Sequence, residues 1–583
     1  MGVILGKISG AESPSDMQAG AALRWAPLLA IGAAAFGVEI PFFFFGTPSG
    51  HDVEFHLYSW LEVLAQWKQG IIYPRWAAMA NFAYGEPRFV FYPPASWTLG
   101  AGLSTVVPWT VVSCVYIWVA LVAAGVAMFV LARRWLNRSD AIFAAVFYAV
   151  NPYHLVIVYW RSAFAELLAS CLVPLLLLFV LKAAEEGFGL NKYGWRRAIV
   201  PLALVLAAAW LTNAPAAVMI HYSLALLVVF FAWQRRSPRV LLVGACAAAL
   251  GACLAAFYLL PAIYEQRWVD IAQAVSAGSR PADSFLFSHT ADADHDAFNR
   301  IVSWVAVLEV FGIFVAVWAA LPWRPREYRP SGDQPRKDRR SLWNSLLGWA
   351  IACSVLMLPL SALLWKVLPK LEFMQFPWRW LLCLSMIFCL LVTLGLRRWW
   401  WRGAVLLLAI LVVVAAGHRF QKPWWDNADD LSEMQDNIEA GTGYAGVEEY
   451  TPLGANPEAL DKDKDKNARN VTVEGAARAA IHVQRWDAES RMITAEMSAA
   501  DRLTLRLFRY PAWRVQVNGR MVETAARAET GQMLVPVAAG MNRVEISLAR
   551  TWDRAAGGWI SILALVGTAI WSWRDRRSAA LKG

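Results

Sequence analysis

The sequence predicts an α-helical polytopic membrane protein with a C-terminal antiparallel β-sandwich outside the membrane. Three observations carry this reading. Hydrophobic residues make up 58% of the chain and charged residues 17%, with a mean hydropathy of +0.40; soluble domains average about 45–50% and about 25%. About twelve apolar segments are long enough to cross a bilayer, centred near residues 36, 121, 147, 173, 206, 224, 251, 311, 352, 387, 410 and 565. Between the last two lies a long polar stretch whose apolar residues alternate with polar ones.

The gaps between apolar segments alternate in charge. One set is rich in Lys and Arg: Arg133–Arg138, Lys182–Arg197, Arg235–Arg239, Arg324–Arg340, Arg397–Arg402 and Arg574–Lys582, with Lys7 and Arg24 before the first helix. Cytoplasmic loops carry such an excess, so both termini are expected inside. The first helix, Trp25 to Phe45, lacks a small-residue cleavage site and reads as a retained anchor. Pro93–Val107 is apolar but short and opens with two prolines. A full crossing there would invert the charge alternation downstream, so it reads as a juxtamembrane or re-entrant helix. The expected organisation is a cytoplasmic N-terminus 1–24, a membrane domain 25–418 with outer loop 47–92, an outer β-rich domain 419–556, a final helix 557–573 and a cytoplasmic tail 574–583. The outer face also receives Asn151–Phe164, Leu211–Pro215, Tyr264–Arg300 and Leu363–Pro377.

Within 419–556, Leu503, Leu505 and Leu507 alternate with Thr504 and Arg506. Trp513, Val515 and Val517 form a second such run, and Val544, Ile546 and Leu548 a third. Period-two alternation is the signature of a half-buried strand, and Asn518-Gly519 between two runs is a hairpin signal. The seven cysteines lie in or beside apolar segments without metal-ligand spacing and read as small buried side chains. The net charge of +10 sits in membrane-flanking gaps, so no nucleic-acid partner is expected. Neither a P-loop nor a dinucleotide-binding fingerprint is present.

The densest polar cluster follows the first helix: Gly50-His51-Asp52-Val53-Glu54-Phe55-His56. In a helix Asp52 and His56 share a face; in a strand Asp52, Glu54 and His56 do. Either way a carboxylate is placed to accept a proton or the group to hold a cation, a divalent ion being permitted but not required. The plain alternative is a solvated loop in which Asp52 caps a helix. Arg75, Arg88 and Tyr92 lie farther along the same loop among Tyr, Trp, Phe and Pro. Rings stack on sugar C–H faces and guanidinium groups fork onto phosphate oxygens; interfacial aromatic belts and lipid snorkelling are the competing uses. Arg161, Glu166, Arg267, Gln375 and Arg379 stand on other outer segments and are candidates to converge there, with an Arg161–Glu166 ion pair as the structural alternative. Lys366 and Lys370 flank the same late segment. His289, Asp292, Asp294, His295 and Asp296 read first as a mobile acidic loop, and Asp461 to Lys466 as a solvated linker. Glu39 and Glu309 fall inside membrane helices, where a carboxylate is costly and faces a cavity or a partner.

The ordered set Gly50–His56, Tyr73-Pro74-Arg75-Trp76, Phe91-Tyr92-Pro93-Pro94, Asn151-Pro152-Tyr153-His154, Arg161 with Glu166, Phe257-Tyr258-Leu259-Leu260-Pro261 and Gln375-Phe376-Pro377-Trp378-Arg379 resembles bacterial membrane proteins labelled 6-pyruvoyl-tetrahydropterin synthase-related. Tyr510-Pro511-Ala512-Trp513-Arg514-Val515 with Val517-Asn518-Gly519 resembles their outer domain and that of YfhO-like proteins. The chain lacks the three-histidine zinc site of a pterin synthase; His51 and His56 do not make one. The architecture resembles the GT-C glycosyltransferases, polytopic enzymes with an acidic motif in the first outer loop. That resemblance implies a polyprenyl-phosphate-linked sugar as donor, an envelope glycan, lipid or protein as acceptor, membrane lipids as surroundings and the bacterial inner membrane as location. It puts Asp52 at the position of the general base, with Glu54 the next candidate, and gives the arginines the leaving phosphate. A lipid-linked glycan flippase and a non-catalytic scaffold for envelope assembly are the rival readings. A transporter is expected to show pseudo-symmetric halves, and no internal repeat is visible.

Overall fold

The computed structural model describes residues 21–186, 197–320, 336–460 and 469–580. Lys7, the Asp461–Lys466 run and parts of the basic gaps 182–197 and 324–340 lie outside the described residues. All twelve apolar centres fall in helices, but fewer than twelve are unbroken spans. Nine helices are long and apolar enough to cross a membrane, and two bent pairs raise that to eleven among the described residues. The pairs are Arg239–Leu254 with Ala256–Trp268, bent by 78°, and Leu342–Leu356 with Pro359–Val367, bent by 90°. Ile199–Thr212 is a shorter apolar helix. It stops because Asn213 is extended, its side chain accepting a hydrogen bond from the Ala216 N–H to start the helix Ala214–Arg235. Pro94–Leu103 is ten residues long, about half a crossing.

Asn151–Phe164, expected as an outer connection, is helical almost throughout. Asn151 caps Pro152–Val156, which runs into a π-helical turn, Ile157–Arg161, ended by Ser162 at φ 48°. Such turns displace side chains from the regular helical register. The expected mobile loop around Asp292 is also ordered: Asp292 accepts hydrogen bonds from the Asp294 and His295 N–H groups at the start of the helix Ala293–Ala320, while His289 and Arg300 pair with Asp296. Glu309 is buried in that helix and accepts a hydrogen bond from Ser385, 2.6 Å away. Glu39 is buried in the first helix, and its Oε1 has no partner among the described residues.

The polar region begins as a helix, Ala428–Glu439, followed by an irregular connection and then strands from Val471. A four-stranded and a five-stranded sheet, with antiparallel pairing throughout, enclose one apolar core. Ile493, Val515, Val544 and Ile546 from one sheet meet Leu503, Leu505, Leu507 and Val535 from the other. Asn518-Gly519 forms the hairpin between Trp513–Val517 and Arg520–Met521. The strand Asp501–Phe508 is buried on both faces. Its second face is covered by the first long loop, where Arg506 donates to the Phe82 carbonyl.

The site is positioned by a backbone staple. Thr47–Pro48 pairs with Trp425–Asp426, and residues 48–52 lie along 160–162. The Gly50 N–H donates to Ser162 Oγ at 2.9 Å, Ser162 Oγ donates to the Pro48 carbonyl at 3.0 Å, and the Asp52 N–H donates to the Arg161 carbonyl at 2.9 Å. A Cβ at residue 50 would stand 2.6 Å from the backbone of Trp160 and Arg161, so only glycine permits this approach. Gly50→Val is therefore expected to cost about 1–3 kcal/mol by overpacking. A lowered thermal midpoint in detergent checks this, and an unchanged midpoint would contradict the staple.

Candidate active site

Asp52 stands at the N-cap of the helix Val53–Lys68 but makes no capping hydrogen bond. Its carboxylate turns across the bundle instead. Oδ2 accepts from Arg161 Nη2 at 2.7 Å and Oδ1 meets His51 Nδ1 at 2.7 Å. The capping alternative is thereby replaced by an ion pair between two segments distant in sequence. Burial opposes the charge on Asp52, but Arg161 and His51 outweigh it and hold the carboxyl well below the usual range.

Arg161 does not pair with Glu166. Glu166 takes Arg379 at 3.4 Å and accepts the Tyr153 hydroxyl at 2.5 Å. Arg379 also donates to the Met374 carbonyl at 2.6 Å and to Gln375 Oε1 at 3.3 Å. Gln375, at φ 64°, ties the turn to Ala274 through its Nε2. Both guanidinium groups lie over Phe376, at 5.1 Å for Arg161 and 4.7 Å for Arg379. Phe376 is itself stacked on Trp378 with centroids 5.0 Å apart. Two buried arginines thus share one aromatic plate, and Arg161 Nε has no acceptor among the described residues. Fixed, planar donors beside an aromatic surface suit a phosphate or phosphate ester.

The opposite wall is aromatic. His56 is buried between Tyr92 and Phe164, with centroids 5.9 and 5.2 Å away, and Tyr92 meets Phe55 edge-on at 4.6 Å. Burial depresses His56 to about 4, Arg161 and Arg88 adding to it against Asp52, so its imidazole is neutral at pH 7. The charges of Asp52 and Arg379 both act on the Tyr92 hydroxyl, which burial holds well above its ordinary range.

The remaining sequence candidates lie elsewhere. Glu54 is exposed two residues along the helix, turned away from Asp52. Arg88 is buried and engaged by Glu86 at 2.7 Å, Ser59 and the Phe55 carbonyl. Arg75 lies in the seam between bundle and β-domain, near Phe257 and Glu489 and 4.3 Å from the Tyr73 ring. Arg267 is exposed over Tyr264 at 3.8 Å. Tyr153, Phe164 and Glu449 were not singled out as site residues from the sequence. Glu449 comes from the connection into the β-domain, near enough for Asp52 and Arg379 to act on it; nothing in its local pattern signals this. Among the described residues no three metal-ligating side chains converge, and both Asp52 oxygens are already held by donors.

His56 links the site to stability. Its folded value, about 4, lies below the ordinary 6.5, so between these values the unfolded chain binds a proton that the folded chain refuses. Stability therefore falls as pH drops from 6.5 towards 4, by roughly 3 kcal/mol for this group. In His56→Phe the pH dependence of the thermal midpoint is expected to be shallower over that window. An unchanged slope would show that His56 does not carry it.

Residues 89–422 match a family described as 6-pyruvoyl-tetrahydropterin synthase related domain, membrane protein. The match takes in Arg161, Glu166, Gln375 and Arg379, while Asp52 and Glu449 lie beyond its ends. No curated protein matches. Among solved structures the chain is similar to the Archaeoglobus fulgidus oligosaccharyltransferase. The apo form is 14% identical over 72% of this chain and 56% of that one, with a TM-score of 0.40. The complex with zinc and sulfate is 15% identical over 73% and 58%, at 0.41. The form tethered to an acceptor peptide containing the NVT sequon is 12% identical over 74% and 60%, at 0.41. The chain thus spans less than two thirds of the length of these structures. The family match covers more than half of the sequence, and the chain belongs to the 6-pyruvoyl-tetrahydropterin synthase related membrane proteins.

Proposed function

We propose that this protein is a GT-C-like membrane glycosyltransferase that moves a sugar from a polyprenyl-phosphate donor to a hydroxyl acceptor of the cell envelope. The observation that carries this reading is the ion pair of an ionised Asp52 with the buried Arg161, which shares one aromatic plate with a second buried arginine, Arg379, held by Glu166. Glycosyl transfer develops positive charge at the anomeric carbon and negative charge on the leaving phosphate. A carboxylate facing the sugar and guanidinium groups facing the phosphate oppose both charges without reorganising. Each Asp52 oxygen keeps a lone pair beyond its present bond, so the carboxylate is able to receive a hydrogen bond from the acceptor hydroxyl and aim it at the anomeric carbon. The C–O bond to the acceptor forms as the bond to phosphate breaks; polyprenyl phosphate leaves with the electron pair, and Asp52, as general base, takes the hydroxyl proton and passes it to water. The neutral His56, Tyr92 and Phe164 supply an apolar wall for the sugar. Helices able to border a bilayer surround the site, which suits a donor whose lipid stays in the membrane.

The charge alternation of the loops supports an extracytoplasmic site, with both termini in the cytoplasm of a bacterium. In a background without the native cysteines, Glu54→Cys in intact cells is expected to react with a membrane-impermeant maleimide. Labelling only after the membrane is opened would reverse the orientation.

Purified protein in nanodiscs with a panel of polyprenyl-phosphate sugars and envelope acceptors is expected to release polyprenyl phosphate. Asp52→Asn is expected to lower that rate by about a hundredfold or more, with the fold verified by thermal melting. Transbilayer movement of a lipid-linked glycan without release of polyprenyl phosphate would overturn the transferase reading in favour of a flippase. Full activity in Asp52→Asn would remove Asp52 from the reaction.

A further inference from the structure

The helix Val53–Lys68 has Asp52 at its start. Its last two turns, about 13–24 Å along the axis from Asp52, border a cavity of about 640 Å³. That volume is within the range of small-molecule sites, about 300–1,000 Å³. The other walls come from the turn 104–108 after the half-crossing helix Pro94–Leu103, from the start of the span Trp109–Ala132 and from the helix Ala428–Glu439. The cavity therefore opens where a membrane span begins, apart from Arg161 and Arg379.

Its polar lining has one cation and three spare acceptors. Lys68 is exposed, is the charged side chain of the lining and makes no hydrogen bond or ion pair among the described residues. Ser104 donates to the Gly100 carbonyl at 2.9 Å and Thr105 to the Gly102 carbonyl at 2.7 Å, so each hydroxyl has only lone pairs left to offer. Gln435 donates to Glu439 at 2.9 Å, which leaves its side-chain carbonyl as a third acceptor. Trp67 and Trp109 donate to the Ile72 and Leu431 carbonyls at 2.9 and 2.7 Å, and both rings are thereby fixed in the wall. Ile72 itself and Val106, inside the turn 104–108, are 86% and 78% exposed. Beside the start of a span, such side chains meet acyl chains rather than water.

We propose that this cavity holds the headgroup of an anionic glycerophospholipid of the phosphatidylglycerol type, drawn from the leaflet on the Asp52 side of the bilayer. The phosphodiester rests against Lys68, the head glycerol hydroxyls donate to Ser104, Thr105 and Gln435, and the acyl chains leave past Val106 along the span. Charge selects the headgroup. With one cation and no carboxylate in the lining, a single net negative charge is complemented. An ethanolamine ammonium finds no anion there, and a choline has no N–H or O–H for the three acceptors. A lysine in the last turn of a helix is favourable by itself; what sets Lys68 apart is the cavity it borders and the acceptors across from it. This site stands whether or not the transferase reading does.

The full chain in nanodiscs of equal parts phosphatidylglycerol, phosphatidylethanolamine and phosphatidylcholine tests this. Native mass spectrometry after release is expected to show phosphatidylglycerol retained over the other two. Lys68→Gln is expected to lower that retention about five- to tenfold. Lys366→Gln, which removes an exposed lysine elsewhere in the chain, is expected to leave it unchanged. Val107→Trp keeps Lys68 but fills the cavity, and is expected to lower retention as well. Thermal melting identifies a variant that has not folded, and the other then decides. Equal retention of all three lipids would overturn the assignment. So would a loss in Lys366→Gln as large as in Lys68→Gln, or a folded Val107→Trp that keeps the lipid.

Discussion

The approach of residues 48–52 to residues 160–162 is the contact on which the site depends. It brings a carboxylate from one segment within 2.7 Å of a guanidinium more than a hundred residues away. Each charge alone would be expensive at this depth, since an unpaired buried ion costs several kcal/mol. The staple succeeds because three local features coincide. Gly50 has no side chain to hold the strands apart, Ser162 turns the chain with a left-handed backbone, and the π-helical turn before it leads into that bend. The side chain that would normally cap the helix Val53–Lys68 is thereby redirected to Arg161.

The same logic joins the sandwich to the bundle. Glu265 binds Arg554 through both oxygens, at 2.7 and 2.8 Å, and also accepts the Tyr510 hydroxyl at 2.6 Å. Bundle, sandwich and final helix meet in that one buried triad. A second network runs from Glu62 and Glu86 through Arg88 and Asn81 to Tyr444 and Val447. Beside it, Asn81, Phe82 and Ala83 all have positive φ, a conformation that costs each non-glycine residue roughly 1–2 kcal/mol. Hydrogen bonds from Arg506 to the Phe82 carbonyl and from the Phe82 N–H to Tyr444 hold the strained turn in place. A domain attached this way is part of the site's scaffold.

The arginines divide by role once their partners are known. Arg88 and Arg554 have carboxylates that match them in charge and depth, and they hold the fold. Arg161 and Arg379 stand against the same ring with part of their donor capacity unspent. Composition alone treats all four as equivalent basic residues near a membrane surface.

Composition, apolar run length and period-two alternation determined the membrane helices, the sandwich and its Asn518-Gly519 hairpin, because these properties depend on residues close together in sequence. The polar cluster after the first helix, the chemistry of the outer-segment residues and the family resemblance marked Asp52, His56, Tyr92, Arg161, Glu166, Gln375 and Arg379; the fold brings Asp52 to Arg161, Glu166 and Gln375 to Arg379, and His56 to Tyr92. Only the tertiary structure decided which carboxylate meets which arginine, since pairing depends on distance between segments. It split Arg161 from Glu166, moved Arg75 to the seam, retired Arg88 to the scaffold and turned Glu54 outward.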